Sequence, residues 1–197
     1  MNILHKGPMK ENQNSPLFFL LGLLMLIATT GNAQTKYVLA PSPMLKVSGG
    51  SSLHDWDMKT QTAKGEGMFV VEGGHFKSAK SLTLSFQAES LKSGTSGLDK
   101  NAYKALKTDK NKEIRFVLKE FSGSGTSFTA KGDLTIAGVT KPVSLPLRLT
   151  TTEGKFQFDG SLTTRLTHFS IDPPTALMGT VKTHDEVTLT FKTTFQL

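Results

Sequence analysis

Ser81-Leu82-Thr83-Leu84-Ser85-Phe86-Gln87-Ala88 places an apolar side chain at every second position and a polar one between. Successive side chains of an extended chain point to opposite faces, so this stretch buries one face and wets the other. That is the signature of antiparallel sheet with one side on a core. The same period of two recurs in Glu113–Lys119 (Ile114, Phe116, Leu118) and in Val143–Leu149 (Val143, Leu145, Leu147, Leu149). It returns at Phe156, Phe158 and Leu162, and again at Val187, Leu189 and Phe191. Turn chemistry separates the runs at Glu72-Gly73-Gly74, Ser122–Gly125, Gly138–Pro142 and Glu153-Gly154.

Phe128–Ala137 and Val143–Thr151 therefore read as a hairpin. Pro146 lacks a ladder donor, which puts its amide side at an edge or bulge. Pro173-Pro174 ends the Phe169–Asp172 stretch, and Thr175–Lys182 reads as a long connection. One segment breaks the strand rhythm. Leu98–Leu106 carries Asp99 as an expected N-cap, and Ala102, Ala105 and Leu106 share a helical face, which predicts a short helix over one end of the sheet.

About nine strand-like runs with almost no helix, and no linker or repeat between them, predict one all-β domain. Such chains close into barrels or pack as sandwiches to hide their edges. Eight or so strands with bulky inner faces can hold one small ligand, as lipocalin-type barrels do. Periodicity alone does not choose between the two.

The N-terminus reads as a signal peptide over residues 1–33, leaving a single domain over 34–197. Lys6 and Lys10 precede the apolar run Leu17–Ile27, and Gly31 and Ala33 fit a small-x-small cleavage site before Gln34. The run is shorter than the roughly 20 residues that span a hydrocarbon core. Export to the periplasm or beyond is the expectation. The chain has no cysteine, so neither disulfides nor a lipidated cysteine is in play.

The formal charge is +7, and cleavage at that site would remove Lys6, Lys10 and Glu11. The densest basic cluster is Lys100, Lys104, Lys107, Lys110 and Lys112. Aromatics do not interleave with it as a stacking groove requires, so a solvated face is expected and nucleic acid is not. A weak attraction to anionic headgroups, and hence transient membrane-surface contact, is compatible with the charge. Exposed strand edges are compatible with a homodimer.

No catalytic constellation is evident. There is no Gly-x-Ser-x-Gly and no thiol. His54, His75, His168 and His184 lack helical zinc spacing, and the acidic residues mostly occupy turns or outer faces. The expectation is no enzyme, no metal and no cofactor. His54, Trp56 and Met58 share one face and Asp55 and Asp57 the other, so His54 reads first as a ring packed beside Trp56 and bonded to a backbone carbonyl. His184-Asp185-Glu186 reads as a polar turn before the last strand.

Several segments together resemble the YceI-like family. Gly49-Gly-Ser-Ser-Leu-His-Asp-Trp56 is similar to the family's Ser-x-x-His-x-aromatic strand. Leu98–Leu106 resembles the helical stretch ahead of an Ile-x-Phe strand, here Glu113-Ile-Arg-Phe116. Gly132–Val143 resembles its most recognisable element, Gly-x-Leu-Thr-Ile-x-Gly-Val-Thr-Lys-Pro-Val, and Leu166–Asp172 falls where Asp-Phe-Gly-Ile is usual. Thr167-His168 departs from the common acidic residue there, and Ser170 from the usual glycine. The resemblance runs from about Tyr37 to the C-terminus.

The resemblance implies a lipocalin-like antiparallel β-barrel enclosing a hydrophobic channel for an amphiphilic polyisoprenoid, such as an isoprenoid quinone or prenyl phosphate. The chain would then be a non-enzymatic carrier or store of that lipid. Leu82, Leu84, Phe86, Phe116, Leu118, Leu134, Ile136, Leu145, Leu147, Phe156, Phe158, Leu189 and Phe191 are expected to point inward, some of them as core. His54, Trp56 and Tyr103 are expected at the mouth or headgroup end. The competing expectation is a ligand-free β-sandwich acting as an interaction module at the cell surface.

Overall fold

A computed structural model describes residues 34–197; the signal-peptide reading lies outside them. The strands are β1 (Gln34–Leu39), β2 (Met44–Ser51), β3 (Trp56–Thr60), β4 (Lys64–Glu72), β5 (His75–Gln87), β6 (Glu113–Ser124), β7 (Ser127–Ile136), β8 (Val139–Thr152), β9 (Lys155–Arg165), β10 (Thr175–Ala176) and β11 (Val181–Gln196). Among the described residues the one α-helix, α1 (Ser96–Leu106), stands between β5 and β6.

Eight strands close a ring in the order β1-β4-β5-β6-β7-β8-β9-β11 and back to β1, all pairs antiparallel. The fold is a barrel rather than a two-sheet sandwich. β1 and β2 lie end to end along one edge of β11: β1 pairs at Phe195 and Gln196, β2 between Thr183 and Lys192. β3 hairpins back on β2 and meets the β5–α1 connection through reciprocal Lys59–Lys92 backbone bonds of 2.9 Å.

Register places the β4–β5, β6–β7 and β8–β9 turns and the end of β11 at one end of the barrel. Aromatic side chains fill that base. Phe69 lies 5.1 Å from Tyr37, 5.3 Å from Phe76 and 5.4 Å from Phe195, centroid to centroid, and Phe76 lies 5.4 Å from Phe128 and from Phe156. Most of these rings meet edge to face, the arrangement their quadrupoles favour. Phe69 and Val70 are consecutive yet both buried, because the β4–β5 register shifts on either side of the pair and turns the chain over.

At the other end the barrel is split. β8 pairs with β9 only from Leu147 onward, starting directly after Pro146, whose missing amide fits the end of the ladder. Leu166–Phe169 forms a 3₁₀ turn packed on β8, β9 and β11, and buried Phe169 and Ile171 belong to the core there. Ser170 takes a left-handed φ of 55°, a conformation that glycine adopts at no steric cost.

Three local expectations are corrected. α1 begins at Ser96 behind Thr95, and Asp99 is inside the helix rather than its cap. Thr175–Lys182 is a tight hairpin, with Thr175 opposite Lys182 and Ala176 opposite Val181. His184-Asp185-Glu186 lies within β11, where the pairing with β2 shifts register between Thr183 and Val187 and accommodates the polar run.

Candidate ligand-binding cavity

The half of the barrel opposite the aromatic base encloses a cavity of about 1220 Å³. β5 contributes Leu82, Leu84 and Phe86, β6 Ile114, Phe116 and Leu118, β7 Leu134 and Ile136, and β8 Leu145 and Leu147. β11 adds Val187, Leu189 and Phe191, and β2 and β3 add Leu45, Val47 and Met58. Each set repeats at i, i+2, so the alternation seen in the sequence is the barrel's inner face. Leu98, Ala102, Ala105 and Leu106 form the helical contribution, at i, i+4, i+7 and i+8 along one face of α1.

Of the sixteen residues expected inside or at the mouth, Leu82, Leu84, Phe86, Phe116, Leu118, Leu134, Ile136, Leu145, Leu147, Phe158, Leu189, Phe191, His54 and Trp56 line this cavity. Phe156 does not. It points inward but sits in the aromatic base, fully buried against Tyr37, Phe69 and Phe76. Tyr103 is also outside the wall. Its ring faces the β5–α1 connection, where the hydroxyl accepts from Lys92 Nζ (2.6 Å) and points its hydrogen toward the carbonyls of Leu91 (2.7 Å) and Glu89 (2.9 Å). Bonding to Tyr103 raises the Lys92 pKa.

The mouth is framed by the β2–β3 turn, the N-terminal turn of α1 and the β10–β11 hairpin. Leu53, His54, Thr95, Lys100, Asn101, Arg165 and Leu177–Gly179 line it. His54 Nδ1 lies 2.9 Å from the Asp55 carbonyl, a contact it makes as a donor, which leaves Nε2 free. Trp56 Nε1 donates to the Gly50 carbonyl at 3.2 Å. Its indole covers Gly49, where a Cβ would lie 2.5 Å from the ring. Only glycine leaves room for that ring, which ties the Gly49-Gly50 pair in the sequence to the placement of Trp56.

Two carboxylates brace the rim. Asp99 Oδ1 accepts from Ser93 Oγ (2.7 Å) and the Ser93 amide (2.8 Å), which lowers its pKa. Asp185 accepts from the Thr167 amide (2.9 Å) and Oγ1 (2.7 Å), with the same effect. The first ties α1 to the preceding loop; the second ties the 3₁₀ turn to β11. Neither pairing was visible in sequence, because each joins residues whose proximity depends on the fold.

Beyond Trp56, on the outer face, Asp55, Asp57, His184 and Glu186 border a shallow polar cleft. Among the described residues no three His, Asp or Glu side chains are placed to hold a metal ion. Charged residues in the cavity wall are Lys46, Lys100 and Arg165, all basic; no carboxylate is among them. The arrangement is an apolar-lined container whose rim carries both cationic and apolar side chains.

A sequence-family model for the YceI-like domain matches residues 46–195. No curated protein matches the chain. Among solved structures, the chain is similar to Burkholderia cenocepacia BcnA, at 19% identity over 76% of this chain and 95% of that one, with a TM-score of 0.62. It is similar to a polyisoprenoid binding domain from Saccharophagus degradans implicated in plant cell wall breakdown, at 11% identity, 81% and 97% coverage and a TM-score of 0.61. It is also similar to the Campylobacter jejuni YceI protein, at 18% identity, 68% and 81% coverage and a TM-score of 0.55. At these identities the likeness is one of fold. The family match covers most of the described residues and contains the motifs at Gly132–Val143 and Leu166–Asp172, and on that ground this chain belongs to the YceI-like family.

Proposed function

We propose that this protein is an exported, non-enzymatic carrier or store of an amphiphilic polyisoprenoid lipid, of the isoprenoid quinone or prenyl phosphate type. The observation that carries the reading is the apolar cavity of about 1220 Å³ above a sealed aromatic base. Water in such a space finds few polar partners, and an empty space forfeits dispersion contacts on every wall. A long prenyl chain supplies both the shape and the apolar area, at about 25 cal/mol per Å² removed from water. The headgroup would sit at the rim, near His54 Nε2, Thr95, Asn101, Lys100 and Arg165. The name of the Saccharophagus domain is consistent with this ligand class, and the N-terminal pattern with delivery outside the cytoplasm.

Trp56 is the sole tryptophan and lies in the cavity wall, so it is a built-in probe. Titration with an isoprenoid quinone is expected to quench its fluorescence saturably, at one quinone per chain. Leu147→Asp should abolish the quenching while far-UV circular dichroism stays that of a folded β protein. A wild-type protein that neither quenches with quinones nor retains a prenyl phosphate through gel filtration would overturn the proposal.

A further inference from the structure

Three of the most exposed large hydrophobic side chains gather at the mouth: Leu53 (64% exposed), Leu177 (70%) and Met178 (108%). They are held in a braced lip. The Ser52 amide donates to the Lys182 carbonyl (2.9 Å), the Lys182 amide to Ser52 Oγ (3.0 Å), and the Thr183 amide to the Pro174 carbonyl (3.1 Å). The first two lace the β2–β3 turn to the β10–β11 hairpin, and the third closes the base of that hairpin. At the hairpin tip Leu177, Met178 and Gly179 all take positive φ (48°, 56° and 90°). Two side-chain-bearing residues in the left-handed region are unfavourable, and this backbone presents them to solvent.

Cations flank the lip. Lys100 and Arg165 line the mouth, and exposed Lys182 follows the tip. Acidic groups at this end are tied down or face the outer cleft: Asp99 beside Lys100 is bonded by Ser93, and Asp57 borders the cleft. Asp55 and Glu186 border the outer cleft, Asp185 is bonded by Thr167 close to Arg165, and Asp172 follows the buried Ile171. An apolar tip ringed by basic side chains is the pattern of a surface that enters a lipid interface. A second copy of the chain fits less well, since it would bring like charges together around a contact of a few side chains.

We propose that the mouth docks on the anionic surface of a phospholipid bilayer, with Leu53, Leu177 and Met178 entering the interface and Lys100, Arg165 and Lys182 meeting lipid phosphates. The inference rests on the carrier reading in one respect: docking this end lets a prenyl chain pass between bilayer and cavity without crossing water.

The chain has no cysteine, so single labelling sites can be introduced. Met178→Cys reports the lip, and Glu153→Cys reports the opposite end, at the β8–β9 turn. Each variant carries an environment-sensitive fluorophore and is mixed with vesicles of phosphatidylglycerol in phosphatidylcholine, or of phosphatidylcholine alone. The expected result is a blue shift at position 178, none at 153, dependence on phosphatidylglycerol and loss at high salt. Adding Leu53→Asp and Leu177→Asp should weaken vesicle binding roughly tenfold or more.

No response at 178, an equal response at 153, or a shift that needs only more protein and no vesicles would overturn the proposal. Trp56 quenching by quinone is measured on the same samples. Quenching without a vesicle response sinks the docking proposal alone; a vesicle response with neither quinone quenching nor retention of a prenyl phosphate through gel filtration sinks the carrier reading and leaves docking standing.

Discussion

Phe156 and Leu147 point into the same interior, Phe156 from β9 and Leu147 from the adjoining β8, but the first is fully buried and the second only half-buried. Leu147 faces open cavity, so truncating it enlarges a space that already exists. Phe156→Ala is expected to cost about 3–5 kcal/mol and Leu147→Ala well under half of that, read from urea unfolding. Equal large losses would make Leu147 core and shrink the cavity. Glycines supply a second contrast. A Cβ at Gly132 would lie 2.4 Å from the Val117 carbonyl and 2.6 Å from the Phe116 ring, whereas Gly97 in the first turn of α1 has nothing within 4 Å. Gly132→Ala is expected to destabilise by about 1–3 kcal/mol, and Gly97→Ala to be neutral or stabilising by up to about 1 kcal/mol. The same denaturation series checks both.

The elements around the mouth are fastened by carboxylates, which gives them a pH dependence the base lacks. Asp99 and Asp185 both have folded pKa values below the reference 3.8. A depressed carboxylate stabilises the folded state above its unfolded pKa, and that contribution disappears as pH falls through the folded pKa. Acidification from about pH 4 downward should therefore loosen α1 and the 3₁₀ turn, seen as a change in Trp56 emission. The aromatic base should hold to lower pH, since its packing contains no titrating carboxylate among the rings that form it. Asp99→Asn with Asp185→Asn should shift Trp56 emission at neutral pH toward the acid value. An acid transition in which Trp56 emission and far-UV signal change together would contradict this order.

Element by element, the sequence is most legible where one strand face is uninterrupted. Leu82, Leu84 and Phe86, or Leu145 and Leu147, announce both a strand and its inner side. β4 is silent because Gly65 and Gly67 occupy positions where a regular strand would show side chains, and bulges then bury Phe69 and Val70 together. The start of β11 is hidden by His184-Asp185-Glu186, a polar run that only a register shift accommodates. Depth along the barrel is invisible to a period of two. Phe156 and Phe158 share a face and both pack among the rings of the base, but only the three-dimensional register lets Phe158 reach the cavity as well. The roles of Tyr103 and Asp99 are not legible in sequence for a related reason: their partners, Lys92 and Ser93, lie in a connection with no periodic signal.

At the scale of the whole molecule, stability and binding occupy opposite ends of one barrel. Rings pack the base, and the split mouth, tied by hydrogen bonds, opens onto the cavity. Ligand binding in the cavity is expected to raise the thermal midpoint by mass action. The central claim is that the cavity holds a prenyl lipid. Mass spectrometry of organic extracts from protein gently purified from its native compartment tests it most directly. The account predicts an isoprenoid quinone or prenyl phosphate in near one-to-one amount with the protein. A folded protein that yields no such lipid, and takes none up when incubated with both classes, would contradict it.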